Sequence, residues 1–143
     1  PVGGSTDLLP VFVGFAKAVE SCILCEQWSA HYALQVGLIN RIAPVLKVDG
    51  KFIANPLVET EFKTDEFGRS LYGLSRQGED LKAAKELFKS AEVDFSLFDR
   101  EVEELCGQLA MTLPDWTIFT LGQLRKHRLQ YWDQNRESNR AWL

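Results

Sequence analysis

The chain has 143 residues with a formal net charge of −4, of which 45% are hydrophobic and 25% charged. This is the make-up of a globular protein able to bury a core of ordinary size. The acidic balance, with no basic stripe interleaved with aromatics, excludes a typical nucleic-acid surface. No apolar run nears the roughly 18 residues of a membrane helix and no leader pattern is present, so the expectation is a soluble, cytoplasmic protein without nucleic-acid or membrane partners.

The chain opens on Gly3 and Gly4 followed by Ser5, Thr6 and Asp7. Glycines permit a tight turn, and Ser, Thr and Asp cap the orphan amides of a helix start. As residues, the turn reads either as a capped helix start or as amides aimed at an anion or a polarised oxygen. Leu8, Leu9, Val11, Phe12 and Val13 form a first apolar helix broken at Gly14, with Pro10 early enough to be tolerated. Ala16, Val19, Ile23 and Leu24 then repeat at helical spacing and predict an amphipathic helix. Cys22 and Cys25 share one face of it. Lacking a second CxxC to complete a zinc site, they read as buried, reduced, structural cysteines, and a redox dithiol is the alternative. Ser29 caps a further helix through Ala30, Ala33, Leu34 and Val36, with Gly37 in the C′ role. Leu38, Ile39 and Ile42 continue as a short buried strand or extended segment to Pro44.

Beyond Val45, Leu46-Lys47-Val48 and Lys51-Phe52-Ile53 flank Asp49-Gly50, a hairpin signal. Residues 57–62 and 70–74 read as short strands around the polar turn 64–69. Three helices follow. The first covers 79–90 with Leu81, Ala84, Leu87 and Phe88 on one side. The second starts at Asp94 or Ser96, carries Phe98, Val102, Leu105, Leu109 and Met111, and closes before Pro114. The third is capped by Asp115 and carries Ile118, Leu121, Leu124, Leu129 and Trp132. These stripes predict core or subunit packing, and the run Arg125-Lys126-His127-Arg128 reads as a wet helix face.

The order GGST, LLPVFVG, AKAVESCIL and SAHYALQVGLINRIAP across residues 1–44 resembles the middle of the crotonase (enoyl-CoA hydratase/isomerase) superfamily. That middle runs from a Pro-Gly-x-Gly-Gly-Thr turn through a Ser-Ala helix to a Gly-Leu-Val-x-x-Val-x-Pro exit. Within the superfamily, GGSTD, LCEQWSAH, LKVDGKFIANP and RESNRAWL look most like the ring-opening hydrolases of anaerobic benzoyl-CoA degradation, and the resemblance then covers almost the whole chain. It implies an α/β crotonase (ClpP/crotonase-like) fold, of which this stretch is a mainly α-helical part with a short β-hairpin insertion. The implied division is an active-site loop and core helices over 1–44, a hairpin-rich insertion over 45–75 and C-terminal helices over 76–143. The start at Pro1 without Met, and the stop at Leu143 inside a helical pattern, predict a piece of a longer chain. The usual catalytic carboxylates would then lie upstream and further helices downstream.

The resemblance also implies the chemistry. Crotonases hold an acyl-CoA carbonyl between two backbone amides, and such preorganised donors stabilise the enolate that forms. A hydrolase of this kind opens a cyclic oxo-enoyl-CoA, with coenzyme A entering only as part of the substrate and no metal or redox cofactor. The backbone amide of Val2, where the family has glycine, corresponds to the group that positions the attacking oxygen. Gly3 and Gly4 complete the substrate-facing loop. Asp7 reads as a polar group steering water or the ring ketone, or else as a first-turn aspartate complementing the helix dipole. Glu26 stands in the family's Thr-Gly-Asp/Glu turn, as a substrate contact or a solvated carboxylate. His31 titrates near neutrality and suits acid/base work, or is a surface histidine at a helix start. The basic run 125–128 could meet CoA phosphates. The expected partner besides substrate is the chain itself, as a trimer or hexamer. Two other readings remain open: an enoyl-CoA hydratase that stops after one water, and a small helical interaction module.

Overall fold

The computed structural model describes residues 5–140. In chain order the elements are α1 (Ser5–Val13), α2 (Phe15–Leu24), α3 (Ala30–Gln35), β1 (Leu46–Val48), β2 (Lys51–Ile53), α4 (Gly78–Ser90), β3 (Glu92–Val93), α5 (Ser96–Ala110) and α6 (Pro114–Arg140). The described residues are mainly helical with one small three-stranded sheet. It divides into two compact units, one made of the described residues up to Glu26 with those from Gly107 onward, the other of Gln27–Cys106.

In the first unit α1 packs on α2 and on α6. Helix α1 already includes Ser5, so Thr6 and Asp7 lie in its first turn and not at its cap. Pro10 sits inside the helix, and without an N–H it cannot give the Thr6 carbonyl the usual bond from four residues on. Gly14, at φ 85°, separates α1 from α2, a backbone conformation that favours glycine. The buried side chains here are Asp7, Ala18 and Ser21. That corrects the expected apolar face of α2, because Val19, Ile23 and Leu24 are exposed. Small residues three apart let the backbones approach closely, and the buried face follows them. The cysteines are free, with Cys25 and Cys106 exposed and Cys22 half-buried, so the expectation of buried thiols fails. Helix α6 runs 27 residues. No helix among the described residues is long and apolar enough to cross a membrane.

In the second unit α3 ends as expected. Gly37 lies at φ 80°, its N–H bonds to the Leu34 carbonyl at 3.1 Å, and the Leu38 N–H bonds to the Ala33 carbonyl at 2.9 Å. These two bonds close a Schellman turn. The chain from Leu38 to Val45 then runs outside any ladder, where a strand had been one expectation. The hairpin forms on its predicted residues, Leu46 opposite Ile53 and Val48 opposite Lys51. Asp49 (φ 49°) and Gly50 (φ 74°) supply the two positive angles that a type I′ turn requires. The other edge of β1 pairs antiparallel with β3, Leu46 opposite Val93 and Lys47 opposite Glu92, giving the order β2-β1-β3. Lys47 Nζ reaches Asp94 Oδ2 at 2.8 Å across this edge, and Asp94 Oδ1 accepts the Ser96 N–H at 2.8 Å, starting α5.

Residues 57–62 and 70–74 are not strands. Isolated bridges take the place of a ladder, Val58 with Ser75 and Thr64 with Ser70. Cross-loop bonds nevertheless tie the segment shut: Glu59 N–H to the Leu74 carbonyl at 2.9 Å, Gly73 N–H to the Glu59 carbonyl at 2.7 Å and Arg76 N–H to the Leu57 carbonyl at 3.0 Å. Turn residues win over β propensity here, with Asp65, Gly68 and Gly73 bending the chain back on itself. The buried apolar side chains of this unit are Ala33, Leu46, Val58 and Ala84. The stripes expected to be packed stay exposed at Leu87, Phe88, Phe98, Val102, Leu105, Leu109, Met111, Ile118, Leu121, Leu124, Leu129 and Trp132. Periodicity names the face of a helix but not how far it is covered: Ala84 of the α4 stripe is buried, and α6 is covered only in part, by α1.

Candidate functional site

The tertiary arrangement around His31, within its unit, sets the Tyr72 ring against it and Phe62 behind Tyr72. It begins with Ser29, the N-cap of α3 in extended backbone, whose Oγ accepts the Tyr32 N–H at 3.0 Å. The same hydroxyl donates to the carbonyl of Gly73 at 2.6 Å. Gly73 lies at φ +78°, and a Cβ there would fall 2.6 Å from Tyr32 Cα and 2.8 Å from the His31 carbonyl carbon. Only a residue without a side chain lets the loop come this close.

The residue before that glycine is Tyr72. Its ring meets His31 edge-on, centroids 5.7 Å apart and planes at 71°. On its other side Tyr72 stacks on Phe62 at 4.5 Å and 6°. Tyr32, one turn along from Ser29, makes an edge contact with Trp28 at 5.5 Å. His31 is half-buried, and burial lowers its pKa from the ordinary 6.5, because a desolvated imidazolium is the costlier form. At neutral pH the ring is therefore uncharged and able to accept a proton.

The base of the loop is fastened by charge. Arg76 donates through Nε to the Val58 carbonyl at 3.2 Å and approaches Glu59 Oε1 at 3.4 Å, while Lys63 Nζ lies 3.3 Å from Glu59 Oε2. Desolvation raises the Glu59 pKa, but the Glu61 N–H, Lys63 and Arg76 outweigh it and leave the carboxyl below its ordinary value.

The other predicted residues stand as follows. Asp7 is buried in the first turn of α1, and among the described residues no buried polar side-chain atom lacks a hydrogen-bond partner. Its place suits the positive end of the helix dipole. Glu26 follows the left-handed C-cap of α2 at Cys25, its N–H bonded to the Ser21 carbonyl at 3.1 Å. Its carboxylate is paired with Lys17 at 2.9 Å. Val2, Gly3 and Gly4 lie outside the described residues. Asp7 and Glu26 thus belong to one unit and His31 to the other. Among the described residues no three His, Cys, Asp or Glu side chains are grouped to hold a metal ion.

Sequence reasoning singled out His31 but missed Tyr72, Gly73 and Phe62. The available signal was a glycine inside a segment read as a strand, which often marks close backbone approach.

Comparison with known proteins gives three relatives that match essentially the whole chain. The 6-oxocyclohex-1-ene-1-carbonyl-CoA hydrolase of Thauera aromatica is 49% identical over 142 residues, covering 99% of this chain and 38% of the relative. The protein of the same name from Geobacter metallireducens is 44% identical over 142 residues, 99% of this chain and 37% of the relative. That from Syntrophus aciditrophicus is 35% identical over 148 residues, 100% of this chain and 38% of the relative. The chain spans less than two fifths of the length of these curated relatives. No protein-family model matches it, and neither does any solved structure.

Proposed function

We propose that this chain is part of a crotonase-fold hydrolase that opens the ring of 6-oxocyclohex-1-ene-1-carbonyl-CoA. The observation that carries the reading is the 49% and 44% identity to hydrolases of that name along 99% of the chain. The loop over 57–76, folded back onto α3, lies in the stretch where the chain departs from ordinary enoyl-CoA hydratases, and this favours the ring-opening reading over simple hydration.

In the proposed reaction one water adds across the conjugated double bond of the ring. A second water attacks the ring ketone, the bond between that carbon and the α-carbon of the thioester breaks, and the electron pair leaves as a thioester enolate. Protonation of the enolate gives 3-hydroxypimelyl-CoA. Backbone amides suit the enolate oxygen, since donors aimed at developing charge act most strongly where water is excluded. The Val2 amide positions an attacking oxygen, with Gly3 and Gly4 shaping the loop and Glu26 on the substrate side. Asp7 steers water or the ketone. His31, uncharged at neutral pH, accepts or returns a proton. No metal or redox cofactor is required, and coenzyme A takes part only as the substrate's thioester. The assembly is a homo-oligomer, trimer or hexamer, which would cover apolar helix faces left exposed here.

The test is to incubate the complete protein carrying this chain with the cyclic substrate and, separately, with crotonyl-CoA, and to weigh the products. Gain of two waters by the cyclic thioester is expected, with little action on crotonyl-CoA. Gain of one water by either substrate makes the protein a hydratase, and no reaction removes the proposed chemistry.

A further inference from the structure

A histidine on the first turn of a short helix has two free side-chain torsions, and acid/base work depends on where its ring nitrogens point. General acid–base groups must sit within hydrogen-bond reach of the proton they move, and a misplacement of about 1 Å can cost roughly a hundredfold in rate. His31 is not left to itself. Tyr72 stands edge-on to it at 5.7 Å, and Tyr72 is backed face to face by Phe62. The loop that carries both rings is closed at its base by the 2.7 Å bond from Gly73 N–H to the Glu59 carbonyl. It is pinned to the helix that carries His31 by the 2.6 Å bond from Ser29. The pin falls on the residue next to Tyr72, so the edge contact is set by a backbone constraint one residue away. Phe62 is itself largely exposed. Its stacking on Tyr72 is therefore poorly explained as core packing and better explained as support for that ring.

From this arrangement we propose that Tyr72 is a positioning residue for His31, fixing the plane of its imidazole, and that the loop over 57–76 is the support that holds Tyr72 in place. The inference rests on the proposed reading only for the claim that His31 moves a proton. The ring-on-ring support stands or falls separately.

Two measurements on the complete protein test it. The first reads the His31 imidazole proton signals by NMR, assigned by their loss in His31→Gln. Ring currents make those signals report the Tyr72 edge contact. Tyr72→Ala is expected to shift them, and Tyr72→Phe, which keeps the ring, to leave them near their original positions. The second is turnover of the cyclic thioester. Tyr72→Ala is expected to lower kcat about ten- to hundredfold with KM little changed, Tyr72→Phe to restore it, and Tyr72→Ala to have no further effect in a His31→Gln background. Unmoved signals in Tyr72→Ala, or an equal loss of kcat with and without His31, would overturn the proposal. If Tyr72→Ala does not fold, Tyr72→Leu keeps bulk without a ring, and the same two readouts decide. A protein that opens no ring at all sinks the proposed function, and the NMR signals alone then decide whether Tyr72 holds His31.

Discussion

The Ser29 hydroxyl donates to the Gly73 carbonyl at 2.6 Å while accepting the Tyr32 N–H at 3.0 Å. One oxygen thus starts a helix and fastens to it a loop 44 residues further along the chain. Removing it should cost twice. Loss of an N-cap costs about 1 kcal/mol, and loss of a second, partly buried hydrogen bond about 1 kcal/mol more. Ser29→Ala is expected to lower the unfolding free energy of the complete protein by about 2 kcal/mol in denaturant titration. Ser29→Asp caps a helix as well as serine does but has no proton to give Gly73, so it should recover the first part at most. Full recovery by Asp would show that the bond to Gly73 contributes nothing.

Gly73 and Gly68 form a matched pair for measuring the close approach. Both have left-handed φ, +78° and +76°, but a Cβ at Gly68 meets nothing within 4 Å, whereas at Gly73 it runs into Tyr32 and His31 backbone. An L-residue at such φ costs about 1–2 kcal/mol, and that cost is common to both substitutions. Gly73→Ala should therefore destabilise clearly more than Gly68→Ala, the difference being the overlap with α3. Equal losses in thermal or denaturant unfolding would mean that the loop does not press against the helix.

Local signals were legible wherever they were self-contained. Asp49-Gly50 marked the hairpin of β1 with β2, Ser29 named its cap and Gly37 its terminator, because each depends on neighbours within a few residues. The third strand was not legible. Glu92 and Val93 carry no alternation long enough to read, and they pair because β1 offers a free edge. The loop over 57–76 misled in the opposite direction, since Leu57, Val58 and Phe62 suggest strand while Asp65, Gly68 and Gly73 impose turns. At the candidate site His31 could be picked out by its chemistry. Tyr72 and Phe62 could not, because an aromatic residue acquires a role only through what the fold sets beside it.

The titration of His31 gives a prediction near neutrality. Burial lowers its pKa in the folded state below the ordinary 6.5, so the unfolded chain binds the proton more readily. Stability then rises with pH wherever the unfolded state holds more protons. The contribution of His31 is fully present above about 6.5 and is lost as pH falls through the lower folded value. The midpoint of thermal unfolding should fall across that interval, and His31→Gln should flatten the fall. An unchanged slope in His31→Gln would show that other groups carry it.

Asp94 acts at lower pH and by the opposite physics, since here the charged form is the one favoured. The hydrogen bond from Lys47, then those from the Ser96 hydroxyl and N–H, hold its carboxyl well below the ordinary 3.8. Its contribution is complete above about 3.8 and disappears as acid protonates it in the folded state. Because both side chains are still partly exposed, added salt should weaken the pair. Lys47→Met keeps the length of the stem without the charge. It should raise the pH at which the protein unfolds in acid and remove part of the salt sensitivity, and Asp94→Asn should do the same without adding to it. If the two substitutions together displace the acid transition by the sum of their separate effects, Lys47 and Asp94 act independently. The link from β1 across to the start of α5 is then not an ion pair in solution.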